Sequence, residues 1–376
     1  MAAPSLDLRK THFAYHPRLK LFLSADIIGS TAFKQPLDFD KDPEDTPLVW
    51  AEVIQGFYKS VSENFHEHWQ HSTNFVITQS NKPDADEDLV SRMIGPEPRF
   101  WKTVGDEVIF WKELTNDRQL WMTLACWLKT VESIRDYFDG HRSDAVRALD
   151  VKSTVWVAEF PVRNKAVVKT MGSADLPARK IRSKLAHFYR NAQTTQEHID
   201  FIGPGIDVGF RLGKFSSSKK MSISLDVAYL LARSHRAVGE CHFLSDADLL
   251  PEKVGAKQGT FVQQLQVFYS GSEPLNGVLG GIRYPKFWIR SIRHESLDAA
   301  NEALYLGEDG TRRTPVEWDH LKTFCQKFYE DRSKFVSRPF ILAQDGGPHG
   351  AHSDRYQHFL DAVILAEAND KGLSPG

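Results

Sequence analysis

The chain has 376 residues, 41% of them hydrophobic and 11% aromatic, enough for a large core in two or three domains or in one elaborated domain. Its formal charge of -2 lacks the polybasic excess that grips nucleic acid or anionic lipid, so no nucleic-acid or membrane partner is expected. Cys126, Cys241 and Cys325 are far apart and lack CxxC spacing, which argues against a disulfide framework or a zinc knuckle. Without a basic-then-apolar leader or a run of about 18 apolar residues, the expectation is a soluble, unexported, cytoplasmic protein.

Lys20 to Ile28 is an apolar run bounded by Gly29, which predicts a buried strand with Asp26 near its end. Thr46-Pro47 reads as a helix cap, and Leu48, Val49, Val53, Ile54, Phe57, Val61 and Phe65 recur at helical spacing through Trp69. The acid- and proline-bearing stretch Asn81 to Pro98 predicts a loop. A hairpin over Arg99 to Trp111 follows, turning at Gly105-Asp106, where Gly tolerates the positive φ of a tight turn. Asp117 is positioned to cap a second helix with Leu120, Leu124, Trp127, Leu128, Val131, Ile134 and Phe138 on one stripe, and Val151 to Phe160 alternates as a strand.

That order, strand, helix, strand, strand, helix, strand, predicts an α+β fold: a ferredoxin-like βαββαβ palm whose antiparallel sheet is covered by helices on one face. Residues 161–199 read as a basic, irregular insertion with a helix from about Leu176. A short helix Ile206 to Leu212, a strand Met221 to Ser224, a helix Leu225 to Arg233 and closing strands Phe261 to Phe268 and Tyr284 to Ile289 complete a domain over 1–289. Residues 290–376 read as a mostly helical extension, with Val316 to Phe335 and Tyr356 to Ala366 its best segments and a break over Gln344 to His352.

Three constellations carry candidate chemistry. Asp26 and Asp106, one at a strand end and one at a hairpin tip, suit a two-metal site handling phosphates, or are turn residues chosen for their backbone. Asp207 and Arg211 are four apart on a predicted helix and share a face, as a guanidinium stabilising a transferring phosphoryl group or as a surface ion pair. Lys102 and Asp200, a donor and an acceptor, match the edge of adenine, cytosine or uracil better than that of guanine, or are solvated charges.

The ordered set Asp-Ile-Ile-Gly-Ser-Thr, Lys-Thr-Val-Gly-Asp-Glu and Asp-x6-Asp-x3-Arg resembles the class III nucleotide cyclases over about Lys20 to Ile289. The resemblance implies a homodimer with active sites at the interface and a nucleoside triphosphate substrate. Asp26 and Asp106, with the backbone carbonyl of Ile27, would hold two Mg²⁺ or Mn²⁺; from the other protomer Lys102 and Asp200 would read the base, and Asp207 and Arg211 would serve ribose and transition state.

Asp207 stands where that family usually has Asn, and the family's triphosphate lysine has no clear equivalent in Asn276 to Lys286, where Arg283 or Lys286 is the expected substitute. With the closing strand Tyr-Pro-Lys-Phe-Trp-Ile and the C-terminal region, these departures resemble the pyrimidine cyclases of bacterial Pycsar antiphage defence. This implies cUMP or cCMP as product, UTP ahead of CTP as substrate, and a separate effector protein answering the cyclic nucleotide. Phe100, expected on the face of Lys102, and Trp50, early on the first long helix, would make a compact base pocket. The competing readings are an adenylate cyclase, a catalytically silent nucleotide-binding module, and a polymerase palm, which the balanced charge disfavours.

Overall fold

The computed structural model describes residues 16–34, 49–80, 94–168, 199–239, 265–290, 315–345 and 354–362. The Thr46-Pro47 cap, most of the 81–98 loop, the helix from Leu176 and Cys241 lie outside the described residues. In chain order the elements are β1 (Arg18–Ile28), α1 (Ser30–Lys34), α2 (Val49–Ser80), β2 (Arg99–Val104), β3 (Glu107–Leu114), α3 (Arg118–Asp139), α4 (Asp144–Arg147) and β4 (Asp150–Phe160). There follow β5 (Lys165–Val168), β6 (Ile199–Ile202), α5 (Pro204–Leu212), β7 (Lys220–Ile223), α6 (Leu225–Gly239), β8 (Val267–Pro274), β9 (Arg283–Arg290), α7 (Trp318–Asp331) and α8 (Leu342–Asp345); residues 354–362 are also helical.

A seven-stranded sheet runs β2-β3-β1-β4-β7-β9-β8. Its first four strands pair antiparallel, β1 between β3 and β4 and β2 outside β3, which is the ferredoxin-like order anticipated from sequence. Beyond them β7 adds parallel to β4, and β9 and β8 extend the sheet antiparallel.

Alternation along β1 sorts its side chains between the two faces. Leu19, Leu21, Leu23, Ala25 and Ile27 join the main core with α2, α3 and α6, whereas Phe22 points to a second core with Trp101, Trp111, Trp156, Phe160 and Phe201. The sheet is therefore covered on both faces rather than one. The second cover is made by the β5-β6 pair and α5, which bring Ala166, Phe201 and Ile206 against it.

Several boundaries differ from the pattern-based expectation for identifiable reasons. α2 runs on to Ser80 because Ser72 and Val76 continue the buried stripe beyond Trp69, the polar Ser72 accepting from Cys126 Sγ at 3.3 Å. Asp117 is the N-cap residue of α3, as expected, but its side chain makes no capping hydrogen bond: Asn116 Oδ1 accepts from Arg118 N at 3.0 Å, while the Asp117 carboxylate accepts from Arg233 Nε at 3.0 Å. β8 lies later than expected, continuing through Ser-Gly-Ser-Glu, because an edge strand needs no apolar alternation and absorbs a bulge between Tyr269 and Ser272. α6 extends to Gly239. The C-terminal helix α7 is shorter than expected and joins the main core through Leu321, Cys325 and Tyr329.

Candidate active site

The β2-β3 turn is built to put Asp106 beside the end of β1. Gly105 adopts φ 64°, the conformation such a two-residue connection demands. Tyr58 of α2 donates its hydroxyl to the Gly105 carbonyl, and Ile27 N donates to the Asp106 carbonyl at 3.4 Å, so Ile27 and Asp106 are neighbours through the backbone. The Asp106 carboxylate accepts from Ser30 Oγ and lies 3.7 Å from Lys34 Nζ.

Asp26, one strand position from Ile27, is in register with Glu107 on β3 and with Lys152 on β4, and its carboxylate meets Lys152 Nζ at 2.9 Å. Burial raises the pKa of Glu107, and the charges of Asp26 and Asp106 add to the rise, opposed by a Ser24 hydrogen bond and by Lys152. One end of the sheet thus gathers three acids, with two lysines balancing them. Trp50 belongs to this end: its exposed ring lies 6.0 Å from Lys34 Nζ.

The second group lies on the β5-β6 and α5 side of the sheet. Lys102 Nζ donates to Asp200 Oδ1 at 2.9 Å, and the same oxygen accepts from Trp101 Nε1 at 3.1 Å and from Phe201 N at 3.0 Å. Phe210 lies 5.8 Å from the ammonium. The two are thus a formed pair rather than separately solvated charges.

Phe100, expected beside Lys102, is on the opposite face. Phe100 pairs with Phe110 and Lys102 with Ile109, residues that face the main core and the second core respectively. A bulge between Phe100 and Lys102 breaks the two-residue alternation on which the expectation rested.

α5 begins immediately after β6. Gly203 has φ 134°, and a Cβ there would lie 2.8 Å from the Arg163 carbonyl, so the turn requires glycine. Asn164 Oδ1 accepts from Gly205 N at 2.9 Å and Asn164 Nδ2 donates to the Glu159 carbonyl at 2.8 Å, which ties the helix start to β4. Asp207 and Arg211 are both exposed on this helix. They do not form the alternative ion pair; Arg211 Nε donates to the Asn276 carbonyl at 3.1 Å. Lys286 pairs with Glu273 at 3.4 Å and Arg283 donates to the Ser272 carbonyl.

Seven contributors are not singled out by the sequence: Ser30, Lys34, Tyr58, Trp101, Glu107, Lys152 and Phe210. Glu107 adjoins Asp106 in the chain and was open to view, whereas Lys152 is recognisable only once β4 is set in register with β1.

No protein-family model matches the chain, and no curated protein matches it in sequence. Among solved structures it is similar to the adenylyl cyclase CyaB from P. aeruginosa (9% identity, 75% of this chain and 97% of that one, TM-score 0.40). It is also similar to a bacterial light-regulated adenylyl cyclase (9%, 76% and 96%, 0.37) and to the guanylate cyclase domain of RhGC from Catenaria anguillulae in complex with GTP (9%, 73% and 98%, 0.34). At these values function has to be read from the chain's own side chains.

Proposed function

We propose that the protein is a nucleotide cyclase that converts a pyrimidine nucleoside triphosphate, UTP ahead of CTP, into its 3′,5′-cyclic nucleotide and pyrophosphate. The observation that supports this reading is the β2-β3 hairpin: its tip carries Asp106, whose carbonyl accepts from Ile27 N, its β3 strand sets Glu107 in register with Asp26, and its β2 strand carries the Lys102 that pairs with Asp200.

Carboxylates fixed by strand and turn backbone, with the Ile27 main chain beside them, are hard oxygen donors that suit Mg²⁺ or Mn²⁺. Asp26, Asp106 and the Ile27 carbonyl would hold two such ions, which when bound lower the pKa of a hydroxyl and neutralise triphosphate charge. Lys34 and Lys152 are the cations at hand for the phosphates. The substrate's 3′-hydroxyl attacks its own α-phosphorus and pyrophosphate leaves, so no protein nucleophile is needed. Arg211, exposed on α5, would offset charge at the pentavalent phosphorus.

The partners of Asp106 (Ser30, Lys34) and those of Lys102 (Asp200, Trp101, Phe210) do not overlap. A homodimer in which the acids of one protomer meet the base-reading pair of the other would join them, and Trp50, beside Lys34, would then lie near the base. The aromatic rings around Lys102, Trp101 and Phe210 rather than Phe100, favour a compact single-ring base. By resemblance, the cyclic product would act as a second messenger in antiphage defence, read by a separate effector.

Incubating the purified chain with each of the four triphosphates and Mn²⁺, followed by mass spectrometry, is expected to yield cUMP, with cCMP second. Product from ATP alone would establish the adenylate cyclase that Lys102 and Asp200 also fit. Asp207, which by resemblance would face the ribose, and the lack of a clear triphosphate lysine favour a silent nucleotide-binding module, and pyrophosphate release abolished by Asp106→Ala would exclude it.

A further inference from the structure

We propose that Trp101 is a positioning residue for base recognition, its indole fixing Lys102 and Asp200 as a preformed donor-acceptor pair. The proposal rests on the nucleotide reading above and adds the element that orients the pair. Trp101 is the extra residue of the β2 bulge: Phe100 pairs with Phe110 and Lys102 with Ile109, leaving Trp101 without a cross-strand partner. In a regular strand neighbours point to opposite faces. The bulge turns Trp101 and Lys102 to the same face, and both side chains reach the same oxygen of Asp200.

The indole engages both members at once. Its N–H donates to Asp200 Oδ1 at 3.1 Å, and the Lys102 ammonium lies 4.2 Å from its ring centroid, within cation–π range. Trp101 is only 7% exposed, with Phe22 at 5.2 Å and Phe201 at 5.1 Å between ring centroids. Lysine on its flexible four-carbon stem has many rotamers to lose on ordering. A buried indole that supplies an aromatic face to the cation and an N–H to the anion removes that freedom before the nucleotide arrives, which raises affinity and sharpens the choice of base. The Phe201 amide donates to the same Oδ1 at 3.0 Å, a third donor holding that oxygen in place.

The test compares wild type with Trp101→Phe, which keeps a ring beneath Lys102 and loses the N–H. Binding of the four triphosphates is measured by calorimetry, and kcat and KM by product assay. Affinity for the preferred triphosphate is expected to fall about tenfold, in line with loss of one hydrogen bond to a charged group, while the others change less. KM should rise in step with kcat nearly unchanged. Should Trp101→Phe fold poorly, benzothienylalanine at position 101 preserves the indole's volume and lacks only the N–H.

An unaltered base preference in the folded variant overturns the proposal and leaves the cyclase reading intact, as does a loss in kcat at constant KM. A wild type that binds one triphosphate selectively without cyclising it, and loses that selectivity on substitution, overturns the cyclase reading and upholds Trp101. A wild type that binds no triphosphate overturns both.

Discussion

Lys112 shows how single residues of this chain register their surroundings. It is enclosed in β3, donating to the Ile94 carbonyl at 3.0 Å beneath the Trp69 ring, 4.4 Å away, and burial pushes its pKa down to about 7. In the unfolded chain a lysine titrates near 10.4. From about pH 7 upward the unfolded state therefore binds more protons, and stability rises with pH; below 7 both states are charged and the full cost of burial remains. Lys112→Met should be more stable than wild type at pH 7, and its advantage should shrink by on the order of 2 kcal/mol by pH 9 in urea titrations. Parallel pH profiles for the two proteins would show that the ammonium is not the cause. For Arg211→Ala the expected change is kinetic: a roughly 100-fold lower kcat with little change in KM, since its contact strengthens as phosphoryl charge develops. A raised KM alone would assign Arg211 to ground-state binding.

Two glycines separate the ways in which the elements place these residues. At Gly105 a Cβ would meet nothing within 4 Å, but φ is 64°; the cost of a side chain is purely conformational. At Gly209 on α5, a Cβ would come within 2.2 Å of the Trp156 indole, so the cost there is steric. Gly105→Ala is expected to lower stability by about 1–2 kcal/mol and to loosen the turn carrying Asp106. Gly209→Ala should push α5 off β4, cost about 1–3 kcal/mol, and lower kcat by misplacing Arg211. Denaturation and steady-state assays on the pair check both; a Gly209→Ala variant with wild-type stability and turnover would show that α5 can shift harmlessly. The hairpin turn was legible because Gly105-Asp106 between apolar strands is a local signal. The bulge at Trp101 was not, because it follows from which residues of β3 oppose β2, a non-local fact. For the same reason Lys102 and Asp200 are recognisable as complementary charges, but the face that Phe100 takes is not, since the bulge separates it from Lys102.

At the scale of the whole molecule, the order βαββαβ could be read from periodicity because each element carries its own apolar pattern, whereas the way residues 315–345 join the core could not. α7 has an amphipathic pattern, but nothing local says that its apolar side belongs on α6. The structure resolves this through paired polar groups: Val316 N donates to the Val267 carbonyl at 2.7 Å, and Tyr329 Oη donates to Asp226 Oδ1 at 2.6 Å. Arg233 of α6 links two further elements, meeting Asp117 at the start of α3 and Asp345 of α8, each at 3.0 Å. Asp117 is buried, so removing its cation leaves an uncompensated carboxylate, and Arg233→Ala should destabilise the chain by about 3 kcal/mol. Adding Asp117→Asn removes the stranded charge and should recover part of that loss, giving a non-additive double-mutant cycle. Since the hydrogen bonds that orient Lys102 and Asp200 come from Trp101, Phe201 and each other rather than from this network, the ranking of the four triphosphates should stay as in wild type while the protein remains folded. Additive single-mutant costs, or a change in that ranking, would mean that the C-terminal clasp reaches the site by a route other than stability.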